Sequence, residues 1–139
     1  MKSISTSLRR ASAAAALGLA AAAAHATPVV WQLDNVKFTD GASATGSFTF
    51  DADTLSYSAW SIQTTNGMFA GQTYDTSTSS TYSALNSAHH FFINLLNNSR
   101  YLTFDLVGDL TNAGGAVAIR TPAGNSARDG SFECLNCAP

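Results

Sequence analysis

From Val29 onward the chain alternates apolar and polar residues with a period of two, broken every ten residues or so by turn signals, a pattern that predicts short antiparallel strands. Val29–Leu33 places Trp31 and Leu33 on one face, and Val36 and Phe38 then continue in the opposite phase. A phase slip of one residue predicts a bulge around Asp34-Asn35. Asp40-Gly41 is a hairpin turn pair, and the return strand through residues 44–50 sets Phe48 and Phe50 against Ser47 and Thr49. Asp51-Ala52-Asp53-Thr54 is a second turn. A third strand follows through Leu55, Tyr57, Trp60 and Ile62 to Asn66-Gly67, which completes a meander.

Residues 75–83 are almost entirely Ser and Thr with no apolar period, and an exposed loop is expected there. The run from His89 to Leu96 fits either a strand or a helix, because Tyr82, Leu85, His89, Phe92 and Leu96 also fall at helical spacing. Its aromatic and β-branched residues favour a strand. Asn97-Asn98-Ser99 then turns the chain into Arg100–Val107, where Leu102, Phe104 and Leu106 share a face. A short strand over Ala116–Arg120, a break at Pro122 and a last strand near Ser131–Glu133 complete the reading. The expected fold is all-β: about seven or eight antiparallel strands in a two-layer β-sandwich.

Composition adds the compartment. Lys2, Arg9 and Arg10 precede an apolar run from Ala11 to Ala24 and the small-x-small triplet Ala24-His25-Ala26, the three parts of a cleavable export signal. Cleavage between Ala26 and Thr27 is expected, leaving residues 27–139 as a single domain that is secreted, periplasmic or extracellular. The apolar run is about 14 residues long, short of the ~20 that span a bilayer, and no longer run follows it. Ordinary secretion is favoured over the twin-arginine route, because Ala11-Ser12-Ala13 replaces the residues expected after such an arginine pair. Three of the seven basic residues fall in the signal and all nine acids beyond it, so the mature part carries a net charge of −5. That sign repels phosphate backbones and sets nucleic acid aside as a partner.

Residues 31–41, 46–51 and 100–104 together resemble a group of small exported bacterial proteins, many of which carry a PEP-CTERM sorting tail. The resemblance implies a secreted, surface or matrix protein with a β-sandwich-like domain, and it brings no active-site residues. The Val-Pro-Glu-Pro-like motif, hydrophobic helix and basic end of that tail do not occur before Pro139. Release in place of sorting, or an early end of the reading frame, would each account for that.

Few residues suggest chemistry. Cys134-Leu135-Asn136-Cys137 reads first as a local disulfide, closing a ring worth only about 2 kcal/mol; a zinc site would need two further ligands, and a redox pair a helix N-terminus. His89 and His90, adjacent on a strand, point to opposite faces and cannot chelate one metal together. Asp51 and Asp53 could face a calcium ion from alternate turn positions, though capping of the hairpin turn is the favoured reading. Tyr74 and Tyr82 flank the Ser/Thr stretch and are expected to be exposed, a place for sugar stacking, whereas Trp31 and Trp60 sit where core packing is the default. No nucleophile elbow, zincin helix or phosphate loop occurs, so neither a catalytic residue nor a cofactor is expected.

The reading is therefore a non-catalytic envelope, extracellular-matrix or secreted structural protein, with polysaccharide or other envelope components as its partners. A carbohydrate-binding or calcium-dependent adhesion module is the first alternative. A small secreted hydrolase is the second, and it requires His89 or His90 beside a Ser and an Asp in a cleft.

Overall fold

The computed structural model describes residues 27–121 and 130–136. Among the described residues eight strands form two four-stranded antiparallel sheets. The first sheet holds β1 (Val29–Lys37), β2 (Ser43–Asp51), β3 (Ser56–Thr64) and β4 (Thr73–Asp75) in the order β1-β2-β3-β4. The second holds β5 (Ser79–Thr81), β6 (His90–Leu95), β7 (Arg100–Asp105) and β8 (Phe132–Leu135) in the order β5-β6-β7-β8. Each sheet is a meander in sequence order.

The turn chemistry read from the sequence forms the hairpins. Asp40 Oδ1 accepts from the Ala42 amide while Phe38 N donates to Ala42 O, and Gly41 takes a φ of 90°. In the β2–β3 turn Asp51 accepts from the Asp53 amide and the Thr54 hydroxyl. The predicted bulge lies where expected: β1–β2 register shifts between Leu33 and Val36, and Asn35 adopts a φ of 51°. Asparagine tolerates this left-handed conformation better than most residues. A second shift, between Ser47 and Thr49 on β2, faces Ala59 at a φ of 46°. It brings Tyr57 and Trp60, three residues apart, to the same side of β3 as Ile62, and all three join the core.

The core lies between the sheets and is largely aromatic. Tyr57 of β3 stacks on Phe91 of β6 with centroids 4.0 Å apart and planes 4° from parallel. Phe48 of β2 meets the same Phe91 ring at 4.9 Å, and Phe38 reaches Phe104 of β7 at 6.4 Å. Rings carry this core because each buries a large apolar area and gains a further ~0.5–1.5 kcal/mol from tilted or offset contact. Tyr57 keeps its hydroxyl satisfied by donating to Ser87 O at 2.7 Å, and burial pushes that hydroxyl's pKa far above its ordinary value.

Three expectations need correction. Residues 75–83 are not simply a loop: they end β4, carry the chain to the other layer, form β5 and enter a 3-10 turn at Ser83–Leu85. Asp75 makes this possible, since its Oδ1 accepts from the amides and hydroxyls of Ser77 and Thr78. Residues 116–120 do not form a strand; Ile119 makes one isolated bridge to Leu106 beyond the end of β7. Leu55 belongs to the turn before β3, exposed and at a φ of 54°.

The hydrogen bonds of Asp51 and Asp75 hold both carboxyls below the usual carboxylate range; the Thr54 hydroxyl is the main cause for Asp51 and the Ser77 hydroxyl for Asp75. A carboxyl whose pKa is lower in the folded chain contributes stability above its unfolded value of about 3.9, and that contribution is lost as pH falls through the folded value. The urea midpoint is therefore expected to stay level between about pH 7 and 5 and to drop below about pH 4, less steeply in Asp75→Asn. An equal acid slope in the variant would assign the effect to other groups.

Candidate functional site: a buried ion pair and the cleft beside it

The most unusual chemistry in the fold is an ion pair inside it. Arg100 opens β7 and Glu133 lies in β8, and their side chains are 8% and 6% exposed. Arg100 Nε stands 2.9 Å from Glu133 Oε1, but its N–H is not aimed along that line, so the contact is ionic without being a good hydrogen bond. The guanidinium instead donates through Nη2 to Ala70 O at 2.7 Å and lies 5.4 Å from the centre of the Phe69 ring.

Glu133 Oε1 also accepts from the Tyr74 hydroxyl at 2.6 Å and the Thr64 hydroxyl at 3.3 Å. Burial, and then the hydrogen bond to and charge of Glu133, raise the Tyr74 pKa well above its ordinary value, with Arg100 opposing in part. The cluster ties β3 and β4 of one layer to β7 and β8 of the other. Two opposite charges out of water require this kind of multiple satisfaction, because each alone would cost several kcal/mol.

Beside the cluster is a cleft of about 200 Å³ between the β1–β2 turn, the β3–β4 loop and β8. Phe38, Met68, Phe69 and Phe132 form its apolar walls, and Thr39, Asp40 and Glu133 supply polar groups. Asp40 hangs the loop in place by accepting from the Met68 amide at 2.8 Å. Gly67 fits under that carboxylate only because it lacks a side chain: a Cβ there would lie 2.5 Å from Asp40 Oδ2. A larger groove of about 540 Å³ runs between the edge strand β1 and residues 115–121.

The residues singled out by sequence fall in separate places. Tyr74, expected to be exposed, is fully buried, because its hydroxyl has a carboxylate to reach inside the fold. Tyr82 is 58% exposed, just ahead of the 3-10 turn. Asp51 spends its oxygens on Asp53 and Thr54, and Asp53 belongs to the same exposed turn. Trp31 is buried, and Trp60 is half-buried and donates to Ser79 Oγ across the layers. Cys134 sits opposite Tyr101 in the β7–β8 pairing. Cys137, the signal residues through Ala26 and the break at Pro122 lie outside the described residues, and Thr27 begins them.

The histidines divide their contacts. His89 Nδ1 is 3.0 Å from Asp109 Oδ1, both side chains being largely exposed. His90 lies between Leu85 O and the Thr103 hydroxyl, its Nε2 2.8 Å from Oγ1. A hydroxyl beside an imidazole has the outline of a nucleophile and its base, but Thr103 is only 2% exposed and its histidine leans on a carbonyl. The geometry suits a structural bridge from the 3-10 turn to β7.

The buried pair was not foreseen. Its signal was present: the only glutamate in the chain stands beside Phe132, and Arg100 opens an apolar strand in a domain with few charges. A charge within a strand pattern calls for a partner. Comparison of the chain with family models, curated proteins and solved structures gives no match. Among the described residues no helix is long and apolar enough to cross a membrane.

Proposed function

We propose that this chain is an exported, non-catalytic structural protein of the envelope, an extracellular matrix or the secreted fraction, akin to the small exported bacterial proteins that often carry PEP-CTERM tails. The observation that carries the reading is how the polar groups are spent. Asp40, Asp51 and Asp75 brace their own turns, and Glu133 with Arg100 joins the two layers. Such a use of ionisable groups suits a rigid β module with a persistent shape. A disulfide between Cys134 and Cys137 belongs to the same proposal, these being the two cysteines of the chain.

Intact mass of the protein recovered from culture medium and from envelope fractions, with and without reduction and alkylation, tests this. The expected species begins at Thr27 and is lighter than its reduced form by the two hydrogens of one disulfide. An uncleaved cytoplasmic species with both thiols alkylated without prior reduction would overturn it. The carbohydrate-binding reading is favoured by one observation, the exposure of Tyr82. Under it, retardation in gels containing neutral or acidic polysaccharides is expected and is lost in Tyr82→Ala; no retardation in any gel rejects it.

A further inference from the structure

The Glu133 cleft has the features of a ligand site, and we propose that it binds a small protonated amine whose apolar body is about one ring in size. This adds a ligand to the structural role and does not depend on it. Arg100, Tyr74 and Thr64 all reach the same oxygen of Glu133, Oε1. Glu133 also lines the cleft. The Glu133 side chain is 6% exposed, and an N–H donor placed in the cleft beside its carboxylate gains a charge-assisted hydrogen bond.

The charge balance selects a cation. Arg100 is matched by Glu133 and lies against Phe69, outside the cleft lining. Asp40, at the mouth, accepts from the backbone amides of Ala42 and Met68, and among the described residues no ion pair answers its charge. Phe38, Phe69 and Phe132 line the cleft and offer aromatic surface to the apolar body of the ligand. The volume, about 200 Å³, is below the ~300–1,000 Å³ of drug-sized pockets, which limits the ligand to about one ring. Met68, 76% exposed on the loop above, provides a flexible, polarizable side chain able to close over different ligand shapes.

Three isosteric probes test the assignment on the folded, signal-cleaved protein by NMR titration: phenethylammonium, 2-phenylethanol and phenylacetate. Phenethylammonium is expected to bind saturably and about ten-fold or more tighter than the alcohol, and phenylacetate not at all. Thr39→Trp, which plugs the mouth from an exposed position, is expected to abolish binding and leave the melting temperature unchanged. Glu133→Gln, if it folds, is expected to lose the preference for the amine over the alcohol. Equal binding of all three probes, no binding up to about 10 mM, or full affinity in Thr39→Trp would each overturn the proposal.

Discussion

Glu133→Ala is expected to lower unfolding free energy by about 3–5 kcal/mol, because it strands a buried guanidinium and removes the acceptor of two hydroxyls at once. Arg100 would stay out of water with its charge uncompensated, and the Tyr74 hydroxyl, fully buried, would have lost its partner. Domains of this size have only about 5–15 kcal/mol in total, so the variant would sit close to its unfolding threshold. The double variant Arg100→Met, Glu133→Leu is expected to recover the part of the loss that comes from the stranded guanidinium, since removing both charges removes the cost of burying either, while the Tyr74 hydroxyl stays without its acceptor. Urea denaturation of the wild type, Glu133→Ala and the double variant decides the matter. A loss under about 1 kcal/mol in the single variant would mean that water reaches the pair.

Gly46→Ala is expected to cost about 3 kcal/mol or more, from two causes that add at one position. Gly46 has a φ of 125° in the middle of β2, a conformation that penalises any side chain, and its Cβ would lie 2.1 Å from Ser61 O and 2.9 Å from Ile62 Cα on β3. Both atoms are backbone and cannot swing aside, so the strand pairing itself would have to open. Gly41→Ala is the control: its φ is 90° but nothing stands within 4 Å, and only the conformational penalty of about 1–2 kcal/mol is expected. Thermal unfolding of the two variants separates space from strain. Equal losses would show that β3 yields at Ser61.

The contrast between these two sites shows what a sequence makes legible. Local chemistry was readable where neighbours in the chain decide the outcome: the Asp40-Gly41 and Asp51–Thr54 turns, the slip at Asp34-Asn35, and the choice of strand over helix for residues 89–96. Each rests on interactions spanning a few residues. Tyr74 was misread because its fate is decided 59 positions away, and no local pattern in a Ser/Thr stretch marks it as internal. Residues 116–120 alternate like a strand, yet their backbone hydrogen bonds to Asp105, Val107 and Ser131 make no ladder, only the isolated bridge between Leu106 and Ile119. The pairing of Arg100 with Glu133 is long-range for the same reason. The composition signalled that these charges were out of place, and only the fold shows where each finds its counterpart.

The meander order of the two sheets bears on how the chain acquires its shape when it is delivered N-terminus first, whether from a ribosome or an export channel. Among the described strands the chain changes layer once, between Asp75 and Ser79. All four strands of the first layer thus emerge before any of the second, and Phe48, Phe50 and Ile62 must wait uncovered until β6 and β7 arrive. Arg100 reaches the assembling protein before its counter-charge does. Glu133 arrives in the last described strand, so this ion pair forms late, and a chain halted before β8 would leave Arg100 without its carboxylate.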